Sequence, residues 1–133
     1  MTREEILKLE PGSELDRLVA ERVMGWQESS DFAIEKETGD LLKIDLSDSI
    51  FKGLWKWSPS TDIAAAWEVV RKMLDSGWGC EIYSPNNPYA LENADKWFVV
   101  FAKSEQPDFR ARALFAPLAI CRAALLAVMK GEK

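Results

Sequence analysis

Apolar and polar positions alternate here in short, sharply bounded patterns. Thr2 and Glu5 have the spacing of a capping box, which predicts a short helix through about Leu9. Pro11-Gly12 breaks it. Ser13 can cap a second helix, in which Leu15, Leu18, Val19, Arg22 and Val23 recur at helical spacing. Gly25 supplies its stop, and Trp26 follows directly. Residues 31–46 read as a hairpin, with "DFAIEKE" and "LLKID" around "TGD" and Gly39 as the turn residue. "DLSDSIFKG" reads as loop.

The next stretch, "LWKWSPSTDIAAAWEVV" (54–70), sets two tryptophans, three hydroxyls, a proline and an aspartate before a helix. Ser58 followed by Pro59 suits a cap with proline at the first helical position. Ser60 or Thr61 could cap instead, and Asp62 suits the positive end of the helix dipole. Ile63, Ala66, Trp67, Val70, Met73 and Leu74 make one apolar stripe, and Glu68 can pair with Lys72 on the other side. Gly77 and Gly79 end that helix. "CEIYS" reads as a short strand and "PNNPYALENAD" as a surface loop. "KWFVVFAK" is apolar on both faces, which predicts a central strand. "SEQPDFRARALFA" reads as a linker. "PLAICRAALLAVMK" is a last helix, with Pro117 at its start and Lys130 near its negative end.

The expected fold is a single α/β domain over 1–133, with four short strands flanked by helices in layers. Loops without helices join most neighbouring strands, so the four-stranded sheet should be largely antiparallel.

Composition narrows the function. The chain has 133 residues, nearly half of them apolar, enough to bury a core as a soluble domain. Its net charge of -5 argues against DNA or an anionic membrane as partner. No apolar run is long enough to span a bilayer, and the polar start is unlike a signal peptide, so the expected location is cytoplasmic. There is no histidine, which removes Ser-His-Asp and Cys-His catalysis and histidine-ligated zinc. The two cysteines, Cys80 and Cys121, have no metal-binding spacing and read as buried thiols. Asp45 and Asp48 lack the regularity of a calcium loop. No metal or cofactor is expected.

The candidate binding residues are arginines, hydroxyls and tryptophans. Arg122 is the one charged side chain between Pro117 and Met129. It must pair with a carboxylate such as Asp62 or Glu68, snorkel, or meet an anion. Arg110 and Arg112 point to one side if their segment is extended, and beside a helix N-terminus they would make a local positive zone. Otherwise they are solvated surface residues. Ser58, Ser60 and Thr61 could present hydroxyls to a phosphate or ribose, and Trp55 and Trp57 could stack on a base. The alternative is two tryptophans plugging a core edge and one hydroxyl capping the helix. Trp67 and Trp97 are expected in the core, whereas Trp26 could border a pocket.

Three stretches, "ELDRLVAERVMGW" (14–26), "WSPSTDIAAAWEVVRKM" (57–73) and "APLAICRAALLAVM" (116–129), together resemble the phage ABA-sandwich domain proteins. The resemblance implies a three-layer α/β/α sandwich, a phage origin and a cytoplasmic life in an infected or lysogenic bacterium. Small phage proteins of this sort include anti-defence sponges, which bind cyclic-nucleotide immune signals such as those of CBASS or Thoeris and need no catalytic residues. On that reading Trp57, Ser58, Ser60, Thr61 and Arg122 would hold a cyclic di- or trinucleotide or a related signal, and a homo-oligomer is expected. The alternative is a phage protein that inhibits or adapts a host factor by protein contact. An enzyme that destroys the signal has least support.

Overall fold

The computed structural model describes residues 1–45, 53–87 and 95–129, with Asp45 and Gly53 described by their backbone alone. Helix α1 (Arg3–Leu7) starts with the expected capping box: Thr2 Oγ1 accepts from Glu5 N at 3.2 Å, and Glu5 Oε1 accepts from Thr2 N at 3.3 Å. It ends two residues before Leu9. Helix α2 (Ser13–Leu18) runs into a π-helical turn over Val19–Val23. Leu15, Asp16, Val19, Ala20 and Val23 are buried, while Arg22 is exposed. Gly25 closes the turn in the left-handed region (φ +74), where glycine carries no Cβ penalty.

Strands β1 (Phe32–Ile34), β2 (Leu41–Asp45) and β3 (Gly53–Lys56) form one antiparallel sheet in that order. The β1–β2 connection is the expected hairpin turn, with Gly39 at φ +78 and its N–H donated to Glu35 O at 2.8 Å. Helix α3 (Ile63–Asp75) follows. Strands β4 (Gly79–Tyr83), β5 (Trp97–Ala102) and β6 (Phe109–Ala113) form a second antiparallel sheet, with β5 in the centre as its two-sided apolarity predicts. Helix α4 (Ala116–Val128) closes the described chain, with proline in its first turn.

The expected single four-stranded sheet is therefore corrected to six strands in two three-stranded sheets. β6 lies where a linker was expected, and β3 begins at the end of the expected loop and runs into the tryptophan-rich stretch, where no strand was expected. β3 is short and opens on glycine. β6, "FRARA", alternates arginine with alanine, and the small alanines can lie flat under a helix while the arginines face out. Ala111 and Ala113 are buried, Arg110 is exposed and Arg112 half-buried.

Packing runs from β5 and β6 to α4, from α4 to α2 and its π turn, and from α2 to β2. One buried cluster takes in Phe32 and Leu41 of the first sheet, Val99 and Phe101 of the second, and most of α4. Trp97 packs half-buried against it, but Trp67 does not join it: the ring expected in the core is 55% exposed. Asp48 and most of the loop after β4 lie outside the described residues, as does Lys130.

Candidate functional site

Trp26 leaves the π turn and meets Trp57, which follows β3; their rings lie 4.5 Å apart at 51°. Main-chain bonds fix both. Trp26 N donates to Ala20 O at 2.9 Å and Trp57 N donates to Leu41 O at 3.0 Å. The Trp57 indole N–H donates to Glu68 Oε2 on α3, and Glu68 Oε1 accepts from Lys43 Nζ at 3.0 Å. Lys43 Nζ also lies 5.5 Å from the Trp26 ring, a cation–π distance. Glu68 thus serves Lys43 and Trp57, rather than the expected Lys72.

Beside this cluster is a cleft of about 440 Å³, lined by Lys43, Trp55, Lys56, Trp57, Asp62 and Glu68 among others. Trp55 and Trp57 lie on one side of the extended segment, two residues apart, and differ sharply: Trp57 is 4% exposed and Trp55 58%. Lys56 Nζ lies 3.6 Å from Asp40 Oδ1. Two lysines in the cleft therefore face two carboxylates, and the net local charge available to an anion is small.

The Ser60 and Thr61 hydroxyls bond the chain's own backbone, and Ser58 contributes its main-chain carbonyl. Ser58 O accepts from Thr61 N at 3.1 Å and from Asp62 N at 2.8 Å, and Thr61 Oγ1 also donates to it at 3.4 Å. Ser60 is 1% exposed, and its Oγ accepts from Gly12 N at 3.0 Å. Ser60 N donates to Asp16 Oδ1 at 2.9 Å. Ser60 is thus the latch between this turn and the start of α2. The α3 cap is Asp62, whose Oδ1 accepts from Ala64 N at 3.2 Å, not Ser58. Burial pushes the Asp16 carboxyl above its ordinary range, against the lowering effect of the Ser60 bonds. Asp16 was missing from the sequence-based site. Its signal was its place in register with Val19, Ala20 and Val23, an acid on an apolar face.

The three arginines do not converge on these tryptophans. Arg122 donates from Nε and Nη2 to Leu9 O, at 3.1 and 2.7 Å, tying the end of the α1 segment to α4. Its partner is neither Asp62 nor Glu68. Burial lowers its pKa from the ordinary value, and nearby Glu10 partly offsets that. Arg110 and Arg112 do share one face of β6, as an extended segment requires. Across the register they meet Val100 and Phe98. Arg110 lies 3.5 Å from Asp108, and the Arg112 guanidinium lies 4.3 Å from the Phe98 ring centre. None of the three lines the cleft.

A second hollow, a groove of about 620 Å³, adjoins the first and shares Ala64 and Glu68 with it. It lies between α3 and β4, lined also by Trp67, Val70, Arg71, Leu74, Cys80 and Ile82. Ile63 and Leu74 are each 50% exposed. The sequence-based reading missed this groove because it placed Ile63, Trp67 and Leu74 in a single inward stripe. The signal was excess: α3 has more apolar positions than one face can bury. Burial pushes the Cys80 thiol up to about 11, with the Glu81 charge adding to it, so it is not a thiolate at neutral pH. Cys121, buried in the core, is also raised well above its ordinary range, by burial first and then by the charge of Asp16. Among the described residues no three side chains are grouped to hold a metal ion, and no helix is long and apolar enough to cross a membrane.

Comparison with known proteins places this geometry. The family model for the phage ABA sandwich domain matches residues 17–125. The chain is similar in fold to a phage protein from Bacillus cereus ATCC 14579 solved by crystallography, with TM-score 0.58 and 22% identity, covering 90% of this chain and 93% of that one. A search of curated proteins gave no match. The chain belongs to the phage ABA sandwich domain family.

Proposed function

We propose that this member of the phage ABA sandwich domain family is a phage-encoded, non-catalytic binding protein that acts by protein contact, with the β3 edge as its contact element. One observation carries this. Leu54 and Trp55 are successive residues of an edge strand, so they face opposite ways, and both are more than half exposed. A small ligand would cover one of them. A protein segment laid along the edge would cover both and pair with the strand's outer backbone groups. Other features lend support. Ser60 and Arg122 are engaged inside the fold, and Lys43 and Lys56 already face carboxylates. Burial keeps both cysteines protonated, which leaves them poor nucleophiles.

A second reading is favoured by one observation. The exposed Trp55 ring borders a cleft that also holds Lys43 and Lys56, which could stack on a base and approach a phosphate. On that reading the chain sequesters a cyclic di- or trinucleotide or a related immune signal.

A thermal-shift panel of cyclic di- and trinucleotides and ADP-ribose-derived signals, run beside affinity capture of host proteins, separates the two. The contact reading expects no nucleotide shift, and a host protein retained by the wild type but lost with Trp55→Ala and Leu54→Ala. A ligand at a hundred times its Kd adds about 2.7 kcal/mol. A shift of that size, abolished by Trp55→Ala, would overturn contact in favour of sequestration.

A further inference from the structure

We propose that the groove between α3 and β4 takes an extended, acidic peptide segment of another protein, added as a strand to the β4 edge. The proposal goes beyond the reading above: it concerns the other sheet, and contact through the β3 edge holds with or without it.

Strand β4 pairs with β5 on one side, and no described strand pairs with its other side. Alternate residues of such an edge turn their N–H and C=O groups outward, where another chain can pair with them. Edges are commonly blunted by lysine, proline or a bulge. β4, "GCEIY", has none of the three: its register with β5 runs unbroken from Gly79 opposite Ala102 to Tyr83 opposite Phe98. The opposite edge of the same sheet, β6, carries Arg110 and Arg112. Five residues of strand extend about 17 Å, enough to pair with a segment of the same length.

The groove runs beside this edge. Cys80 and Ile82, two residues apart, share one face of β4 and form the strand wall. Ala64, Trp67 and Leu74 stand on the helix wall, and Trp67 and Leu74 are each at least half exposed. A strand added at the edge would send every second side chain between these walls. Apolar side chains there would cover Trp67 and Leu74, which nothing in their own chain does. A helix beside an edge strand suits an extended peptide: main-chain bonds supply affinity, and pockets for alternate side chains supply specificity.

Charge says what else the segment carries. Glu68 and Arg71 are the charged residues of the groove lining. Both Glu68 oxygens are engaged, by Lys43 and by the Trp57 indole. Glu81 stands on the other face of β4 and accepts from the Tyr83 hydroxyl. Asp75, one turn beyond Arg71, does not line the groove. Arg71 itself is exposed and has no hydrogen-bond or ion-pair partner among the described residues. An unpartnered guanidinium beside apolar walls selects a carboxylate, whose two oxygens its planar fork can hold at once. The groove thus complements an Asp or Glu next to apolar residues at alternate positions.

Selection of a random linear peptide library on the full chain tests this. Enriched sequences should carry apolar residues two apart with an Asp or Glu beside them. The best of them, made synthetically, should bind about tenfold or more weakly to Arg71→Glu, the effect of losing a charge-assisted bond. It should keep its affinity for Trp55→Ala. Arg71 is an exposed helix residue, so its substitution leaves the fold intact. N-methylation of the peptide, one residue at a time, should abolish binding at alternate positions, since only every second amide faces β4. An empty selection, apolar residues at spacings of three and four, or tolerance of N-methylation throughout overturns the proposal. Equal binding to wild type and Arg71→Glu overturns it too. Loss with Trp55→Ala alone would put the peptide on β3, which overturns this proposal and leaves the reading above standing.

Discussion

Helices α3 and α4 are both thirteen residues long and both rich in apolar side chains, yet ten residues of α4 are buried and only five of α3. Helix α4 lies among β5, β6, α3, α2 and α1, so neighbours cover nearly its whole circumference. Helix α3 lies at the rim and turns one face outward. Their charges follow the same logic. Helix α4 carries only Arg122, and that guanidinium reaches Leu9 O; α3 carries Glu68, Arg71, Lys72 and Asp75. Apolar content marks a surface that needs covering. It does not say whether the covering comes from the same chain.

The sharpest way to break this contrast is to make one change in each helix. Leu125 of α4 is fully buried, and Leu125→Ala should cost about 2–5 kcal/mol, because the surrounding core cannot collapse into the space. Leu74→Ala on α3, at a half-exposed position, should stay within about 0.5 kcal/mol. Urea unfolding of both variants checks this. Equal losses would mean that α3 is as tightly covered as α4.

Arg122 sharpens the contrast from inside α4. Arg122→Met retains much of the side-chain length and removes both bonds to the Leu9 carbonyl. The expected loss is about 1–3 kcal/mol, the cost of an acceptor left without its partner. Hydrogen exchange should rise first in residues 3–9, because this bond anchors α1 to α4. Unchanged protection there, with lost nucleotide binding instead, would return Arg122 to a ligand-binding role.

Legibility in the sequence followed the same divide between local and distant causes. The capping box at Thr2, the hairpin turn at Gly39, the central strand β5 and the whole of α4 are written in adjacent residues, and each was readable. β6 was hidden because its alternation is arginine with alanine, a pattern that hydrophobicity alone reads as linker. The site was legible only in part. Trp26 and Trp57 were both candidates, but their contact depends on sheet register and on how the π turn ends. The Ser60 latch joins residues 44 and 48 apart in sequence, Asp16 and Gly12, so no local motif could announce it. Trp67 was misplaced because an amphipathic pattern fixes which residues share a face, and not how many faces find cover.

The smallest expected effect lies at that latch. Asp16 is buried, accepts from Ser60 N, and holds its proton more tightly in the folded protein than its ordinary value of 3.8 allows. Folding therefore takes up a proton between that value and the raised one. The contribution of Asp16 to stability is full below 3.8, falls as pH rises through the folded value, and is constant above it. Asp16→Asn keeps an oxygen for the Ser60 N–H and does not titrate. The stability of wild type relative to Asp16→Asn should accordingly decline with rising pH across that window and then level off. Urea midpoints of the two proteins, compared pH by pH, remove the other titrating groups from the difference. A gap that stays flat would mean that the Ser60 bonds cancel burial, and one that grows in favour of wild type that they outweigh it. The carboxylate would then be a stabilising partner in its charged form, and the latch an electrostatic one.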